Sequence, residues 1–150
     1  MAVTRILANN FKLALGQGLI NFASGDFRVI LMNSAFAFDR DTHATYGDIS
    51  TDELAAGNGY AQITKALTAT EAWAQDNAAD KAAITWANPT WEASTGSLGP
   101  TGAAVVLQYN SGTPAGSIIV GCIDFGEDIT VTDGVSFQLQ NMGFDLRQGT

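Results

Sequence analysis

Residues 45–60, with the sequence TYGDISTDELAAGNGY, combine a helix signal and a turn signal in a chain whose other segments are patterned as strands. Ser50 and Glu53 stand three residues apart, the spacing of a capping box in which each side chain bonds the backbone N–H of the other residue. We therefore predict a one-turn helix near residues 51–56. Gly57 is placed to end this helix in a left-handed conformation.

The same stretch then predicts a sharp corner. Asn58 and Gly59 favour a tight turn with positive φ, and Tyr60 would open a strand that is anchored by the packing of its ring and by its hydroxyl. None of these residues is chemically reactive. We interpret the group as a structural corner, formed by Ser50, Glu53, Gly57, Gly59 and Tyr60.

Outward from the corner, short apolar segments alternate with clusters of Gly, Asn and Asp, a pattern typical of antiparallel β-sandwiches and jelly rolls. The predicted strands cover residues 19–22, 27–32, 60–67, 82–86, 103–109, 117–125, 136–140 and 143–146. The first two would form a hairpin around the loop 23–26. We expect a long loop at 33–49, a mobile segment at 68–81 and a turn at 126–128.

The N-terminal segment is predicted to be a short helix over residues 4–15, because its apolar residues recur at helical spacing. We divide the chain into an N-terminal extension, residues 1–18, and a single β-sandwich domain, residues 19–150. In this interpretation the extension lies along a neighbouring subunit and becomes ordered only on assembly.

Composition limits the possible partners. The chain has 150 residues and a formal net charge of −8, with only seven Lys and Arg residues, which are scattered singly along the sequence. Nucleic-acid binding requires clustered positive charge, so we expect no nucleic-acid partner. The sequence has no long apolar run, so we predict no membrane span. It also has no apolar N-terminal region, so we predict no signal peptide.

The residues with catalytic or metal-binding potential are few. His43 is the only histidine and lies in a polar loop without the sequence of a nucleophile elbow, so we interpret it as a surface residue or a brace of its loop. Asp39 and Asp41 suggest a calcium loop, but the sixth and twelfth positions are Ala44 and Ser50 instead of Gly and Glu. An EF-hand is therefore excluded, an irregular cation site stays open, and no catalytic residue, metal site or cofactor is predicted.

The single cysteine lies in an apolar run, which predicts a buried and unreactive Cys122 and excludes a disulfide within the chain. Among the tryptophans, Trp86 alternates within a strand and is assigned to the core, whereas aromatic residues that stay outside the core are enriched at interfaces. The candidate interface residues are Phe11, Leu15, Trp73 and Trp91. A sugar-binding platform made of the exposed aromatic residues is the alternative.

Four stretches together resemble a family of small structural proteins of tailed bacteriophages, mostly uncharacterised. They are the corner at 45–60, DFRVILM at 26–32, WANPTW at 86–91 and IDFG at 123–126. The resemblance spans residues 12–139. Relatives often follow the Gly-Tyr pair with two glycines, whereas this chain continues with Ala61 and Gln62, which affects the expected geometry of that loop.

The resemblance implies a non-enzymatic virion protein, made in the host cytoplasm and placed on the outer capsid surface as a decoration or cement protein. Such a protein would form a homo-oligomer, with a trimer favoured by analogy, and would bind the phage major capsid protein. The alternative is a tail or head-fibre module that binds a host surface glycan. A small hydrolase is a third and weaker interpretation.

Overall fold

The computed structural model is mainly β, with antiparallel strands in three sheets, and it describes residues 2–147 apart from the side chains of residues 69–72. The strands are β1 (Thr4–Leu7), β2 (Phe27–Asn33), β3 (Ala69–Asp76), β4 (Lys81–Trp86), β5 (Thr90–Glu92), β6 (Leu98–Gln108), β7 (Ile118–Val131), β8 (Ser136–Gln138) and β9 (Gly143–Arg147). One α-helix, α1 (Asn9–Gly16), follows β1.

The central sheet has the strand order β1-β7-β6-β2 and contains the two longest strands, β6 and β7. Consecutive residues are buried in both, at positions 103–107 and 119–123. Since neighbouring side chains of a strand point to opposite faces, both faces of this sheet are covered. This explains why its strands appear in the sequence as continuous apolar runs instead of alternating ones.

The second sheet, in the order β3-β4-β9, packs on the central sheet, and the third sheet pairs β5 with β8. A Cβ atom at Gly121 of the central sheet would lie 2.8 Å from the ring of Phe144 in β9, so glycine permits this close approach. Trp86 of β4 lies 5.5 Å from Phe27 of β2, measured between ring centroids. The predicted fold class, a mainly β, sandwich-like single domain, is confirmed.

The N-terminal prediction needs correction. Residues 4–7 form β1, which pairs with β7, and only the second half of the predicted helix is helical. Phe11 is fully buried in the core that the strands share. Residues 2–18 are therefore part of the sandwich, because β1 pairs with β7 and Ala8, Phe11 and Ala14 are buried in the core, although Val3 and Leu13 are exposed.

Two other predicted strands are absent. Residues 19–21 have no regular structure and a turn begins at Phe22, because the side chain of Gln108 bonds the carbonyl of Leu19 and the N–H of Asn21 in place of a strand partner. At 60–67 the backbone leaves the extended region at Ile63, where φ is 53°. The predicted hairpin around 23–26 is also absent, because its first strand, residues 19–22, does not form.

The remaining differences concern strands that the sequence pattern obscured. β7 runs through the predicted turn at 126–128, because Gly126 adopts φ of 73° and its N–H bonds the Asp124 carboxylate 2.8 Å away within the strand. β3 occupies part of the segment expected to be mobile, and β5 was not predicted. The structure agrees with the predicted long loop, with the burial of Trp86 and with the five strands predicted at 82–86, 103–109, 117–125, 136–140 and 143–146.

Candidate functional site

The predicted corner contains a buried carboxylate that three donors surround. Glu53 is only 5% exposed. It accepts hydrogen bonds from the hydroxyl of Tyr46 at 2.5 Å, the hydroxyl of Tyr60 at 2.7 Å and the backbone N–H of Ile63 at 2.7 Å. The Tyr60 hydroxyl in turn accepts the N–H of Leu31 at 2.9 Å, which ties the corner to β2. We call these residues the Glu53 corner.

The electrostatics of the Glu53 corner stabilise the neutral form of both tyrosines. Burial and the neighbouring carboxylate of Glu53 raise the pKa of Tyr46 and of Tyr60 above the ordinary value. Within the described residues, no buried side-chain nitrogen or oxygen lacks a hydrogen-bond partner. The polar side-chain groups of the Glu53 corner thus have partners within the chain, which suits a structural cluster.

Ser50 and Glu53 do not form the predicted capping box. Residues Ser50–Asp52 form a short 3-10 turn, and Glu53 follows it with extended dihedral angles, so its side chain turns inward. The N–H of Leu54 bonds the carbonyl of Leu31 at 2.8 Å, which holds this part of the chain against β2. A capping box is instead formed five residues earlier, where the carboxylate of Asp48 accepts the backbone N–H of Thr45 at 2.8 Å.

The tight turn after the corner is confirmed. Gly57 and Tyr60 exchange two backbone hydrogen bonds of 2.9 Å, and between them Asn58 and Gly59 have φ of 52° and 89°. A Cβ at Gly59 would overlap with the carbonyl oxygen of Glu92, so this position needs glycine for space as well as for φ. Gly57, with φ of 132°, belongs to the turn and does not end a helix.

The predicted interface residues do not share a surface. Phe11 and Trp91 are 0% and 3% exposed, so both belong to the core and are covered by this chain. Leu15 is half-buried and packs against that core. Trp73 is 46% exposed and stacks on Phe22 at 5.2 Å, which leaves it as the accessible member of the predicted set.

His43 braces its loop, which is one of the two roles predicted for it. Its ring lies 5.7 Å from that of Phe36 and 5.6 Å from that of Phe38, and its Nδ1 accepts the N–H of Asp39 at 3.1 Å. Asp41 accepts a hydrogen bond from Asn9. In the part of the chain that the structure describes, no three His, Cys, Asp or Glu residues are grouped as a metal site would require.

Cys122 lies in the middle of β7 and is 1% exposed, as predicted. Burial raises the pKa of its thiol to about 12, and the charge of Asp124 adds to the effect. A thiol with this pKa is protonated near neutral pH and is a poor nucleophile.

A second candidate site, which sequence reasoning missed, is a groove of about 840 Å³ that extends along β1 and β9. Its apolar lining includes Ile6 and Leu7 of β1 and Phe144 of β9. Four of the seven Lys and Arg residues of the chain also line it, although they are far apart in the sequence: Arg5, Lys12, Arg40 and Arg147. Asp145 is the one carboxylate in its lining. We call this site the edge groove.

The basic residues outside the edge groove are engaged within the fold. Arg28 bonds Asp26 and the carbonyl of Ile63, and its guanidinium lies 3.5 Å from the ring centroid of Tyr109. Lys65 donates to the carbonyl of Thr90 at 2.6 Å. These residues stabilise the chain itself.

Two basic residues of the edge groove, Lys12 and Arg40, have few internal contacts. Arg40 has no side-chain hydrogen bond or ion pair within residues 2–147, and Lys12 reaches only the side chain of Asn9, at 3.4 Å. Arg147 pairs with Asp145 at 2.8 Å, and Lys81 reaches the same carboxylate. Although burial opposes it, hydrogen bonds from Arg147 and Lys81 lower the pKa of Asp145. Asp145 thus neutralises part of the positive charge of the edge groove, and the rest of that charge is available to a partner.

No protein-family model matches the chain, and no curated protein or solved structure shows significant similarity to it. Among the described residues, no helix is long and apolar enough to cross a membrane. Interpretation of the site therefore depends on the geometry of the Glu53 corner and of the edge groove.

Proposed function

We propose that the protein is a non-enzymatic structural protein of a tailed-bacteriophage virion, and that it decorates the outer surface of the head as a cement protein. The proposal starts from the resemblance carried by residues 45–60, 26–32, 86–91 and 123–126. The structural observation that supports it best is the edge groove, where the edges of two sheets lie together with four basic residues, two of which, Lys12 and Arg40, are weakly engaged. Such a surface suits attachment to another polypeptide more than it suits catalysis.

The net charge of −8 supports a position outside the packaged DNA, because an acidic protein is repelled from the phosphate backbone. A cement protein works through many identical contacts, so each contact can be weak while symmetry and avidity make the whole assembly stable. In this proposal the partners are the major capsid protein and further copies of the chain, with a trimer favoured by analogy.

A tail or head-fibre module that binds a host glycan is the second candidate, and Trp73 is the observation that favours it. Its ring is 46% exposed and is held in place by stacking on Phe22. A preoriented, exposed aromatic ring of this kind can pack against the apolar face of a sugar.

Gold-labelled antibody against the purified protein, imaged on virions of the phage that carries the gene, separates these candidates. We expect label over the outer surface of the head. Label confined to the tail, together with glycan binding that is lost in Trp73→Ala, would replace the cement proposal by the fibre proposal. Purified virions without label would contradict both.

A further inference from the structure

The edge groove offers two free main-chain edges close to each other. β1 ends the central sheet and β9 ends the second sheet, and within residues 2–147 neither has a strand on its other side. Arg5 of β1 donates to the carbonyl of Asn141, just before β9, at 3.2 Å, so the two edges are within the reach of one side chain. A free edge presents N–H and C=O groups that can pair with an added strand.

The charges around these edges indicate what kind of strand fits. Four basic side chains line the groove of a chain whose net charge is −8, so most of the negative charge lies elsewhere on the molecule. Opposite potentials on facing surfaces steer association and fix the register of the partner. Ile6 and Leu7 add an apolar lining for alternate side chains of an extended segment.

We propose that the edge groove binds an extended acidic segment of a different protein, which adds to the free edge of β1 as a new strand. Its main chain pairs with β1, its acidic side chains face Lys12 and Arg40, and its alternate side chains contact the apolar lining. The inference deepens the proposed function, on which it rests, since it gives the chemistry of the segment that a capsid neighbour would supply.

A second copy of this chain is a poorer occupant than an acidic segment of another protein. Two copies, each with a net charge of −8, repel one another over their remaining surfaces, whereas a short segment carries only local charge. The exposed acidic residues Glu127 and Asp128 are also held inside β7 and cannot extend into a neighbour.

Nucleic acid would meet the same positive charges but would not use the free edge of β1. Strand pairing requires a polypeptide backbone, whereas phosphate binding requires only the basic side chains. A probe set that varies backbone and charge separately therefore distinguishes the two.

The test is a fluorescence-anisotropy titration of the full-length protein with a labelled decapeptide that alternates Glu with Val and Thr. Three further probes complete the set: the same peptide with Gln in place of Glu, the same peptide with two of the Val and Thr residues replaced by Pro, and a single-stranded DNA of equal charge. We expect the first peptide to bind and the others to bind at least about tenfold more weakly.

Charge variants then locate the binding site. Arg40→Glu should weaken binding of the acidic peptide about tenfold, because it places a like charge opposite the segment. The control is the double variant Ser111→Glu/Thr132→Glu, which changes the net charge by the same amount at exposed positions outside the groove lining. This control should bind as the wild type does.

Several results would overturn the inference. Equal binding of the proline peptide would show that no strand is added, and tighter binding of DNA would indicate a nucleic-acid surface. Equal loss in Arg40→Glu and in the control would assign the effect to net charge alone. Concentration-dependent dimers that Arg40→Glu abolishes, measured by sedimentation, would make a second copy the occupant. Because no virion is used, this outcome is independent of the antibody labelling that tests the cement proposal.

Discussion

The Glu53 corner and the edge groove differ in how far their charged side chains are engaged within the chain. In the corner, a single buried carboxylate receives three hydrogen bonds from its own chain. In the groove, the lining has four basic side chains and one carboxylate, of which only Arg147 pairs with Asp145, and Arg40 is engaged with no other side chain of the described residues. A charge that is satisfied internally stabilises the fold, whereas a charge left open is available to a partner.

The comparison also separates stability from function. A buried group without its partners is costly, so changes in the Glu53 corner should reduce the free energy of unfolding. Charges at the groove are solvated, so changing them should alter binding and leave stability almost untouched.

Glu53→Ala should lower the free energy of unfolding by about 3 kcal/mol or more, because two tyrosine hydroxyls and the N–H of Ile63 lose their acceptor. Urea unfolding monitored by circular dichroism measures the effect. The control is Glu127→Ala, which removes an exposed carboxylate and should leave the unfolding midpoint unchanged. Equal behaviour of the two variants would refute the structural role of the Glu53 corner.

Gly59→Ala should cost about 2 kcal/mol or more, since the new Cβ meets the carbonyl of Glu92 at a position whose φ is 89°. Gly134→Ala is a matched control, with φ of 81° and no atom within 4 Å of the new Cβ. It should show only the conformational cost of about 1 kcal/mol. If thermal unfolding places both variants at the same midpoint, the contact with Glu92 does not matter.

Tyr60 predicts a loss of stability in alkaline solution. Its pKa is raised in the folded state, so the unfolded chain releases this proton first, and stability that is complete below about pH 10 falls as the pH rises. Between about pH 10 and pH 11 this group should account for about 1 kcal/mol. Urea unfolding at both pH values should show a smaller loss for Tyr60→Phe than for the wild type. Equal losses of stability in the two proteins would mean that the pKa of Tyr60 does not differ between the folded and unfolded states.

Two arginines provide the smallest and most direct contrast. Arg28→Ala should reduce the free energy of unfolding by about 1 kcal/mol, because Arg28 bonds Ile63 and Asp26 and stacks on Tyr109. Arg40→Ala should cause no measurable loss of stability while it weakens binding of the acidic peptide. A destabilised Arg40→Ala variant would show that the groove arginine serves the fold.

Prediction from the sequence succeeded where local chemistry decides the structure. Asn58 and Gly59 specify a tight turn with positive φ, and the apolar run around Cys122 specifies a buried strand, whatever surrounds them. It failed where contacts between residues distant in the chain decide the structure. Glu53 has the spacing of a capping box, yet its acceptors serve two tyrosines and Ile63, and Phe11 was assigned to an interface because its covering residues could not be seen.

The amino-acid sequence alone determined the β-rich class, the turn at residues 58–59, the buried thiol and the overall negative charge, because these follow from local propensity, apolar patterning and composition. Only the tertiary structure decided that β1 joins the central sheet and that Glu53 points inward. It also decided that Arg5, Lys12, Arg40 and Arg147 meet along one groove. Their proximity depends on which sheet edges come together, and long-range packing sets that arrangement while leaving no periodic signal in the sequence.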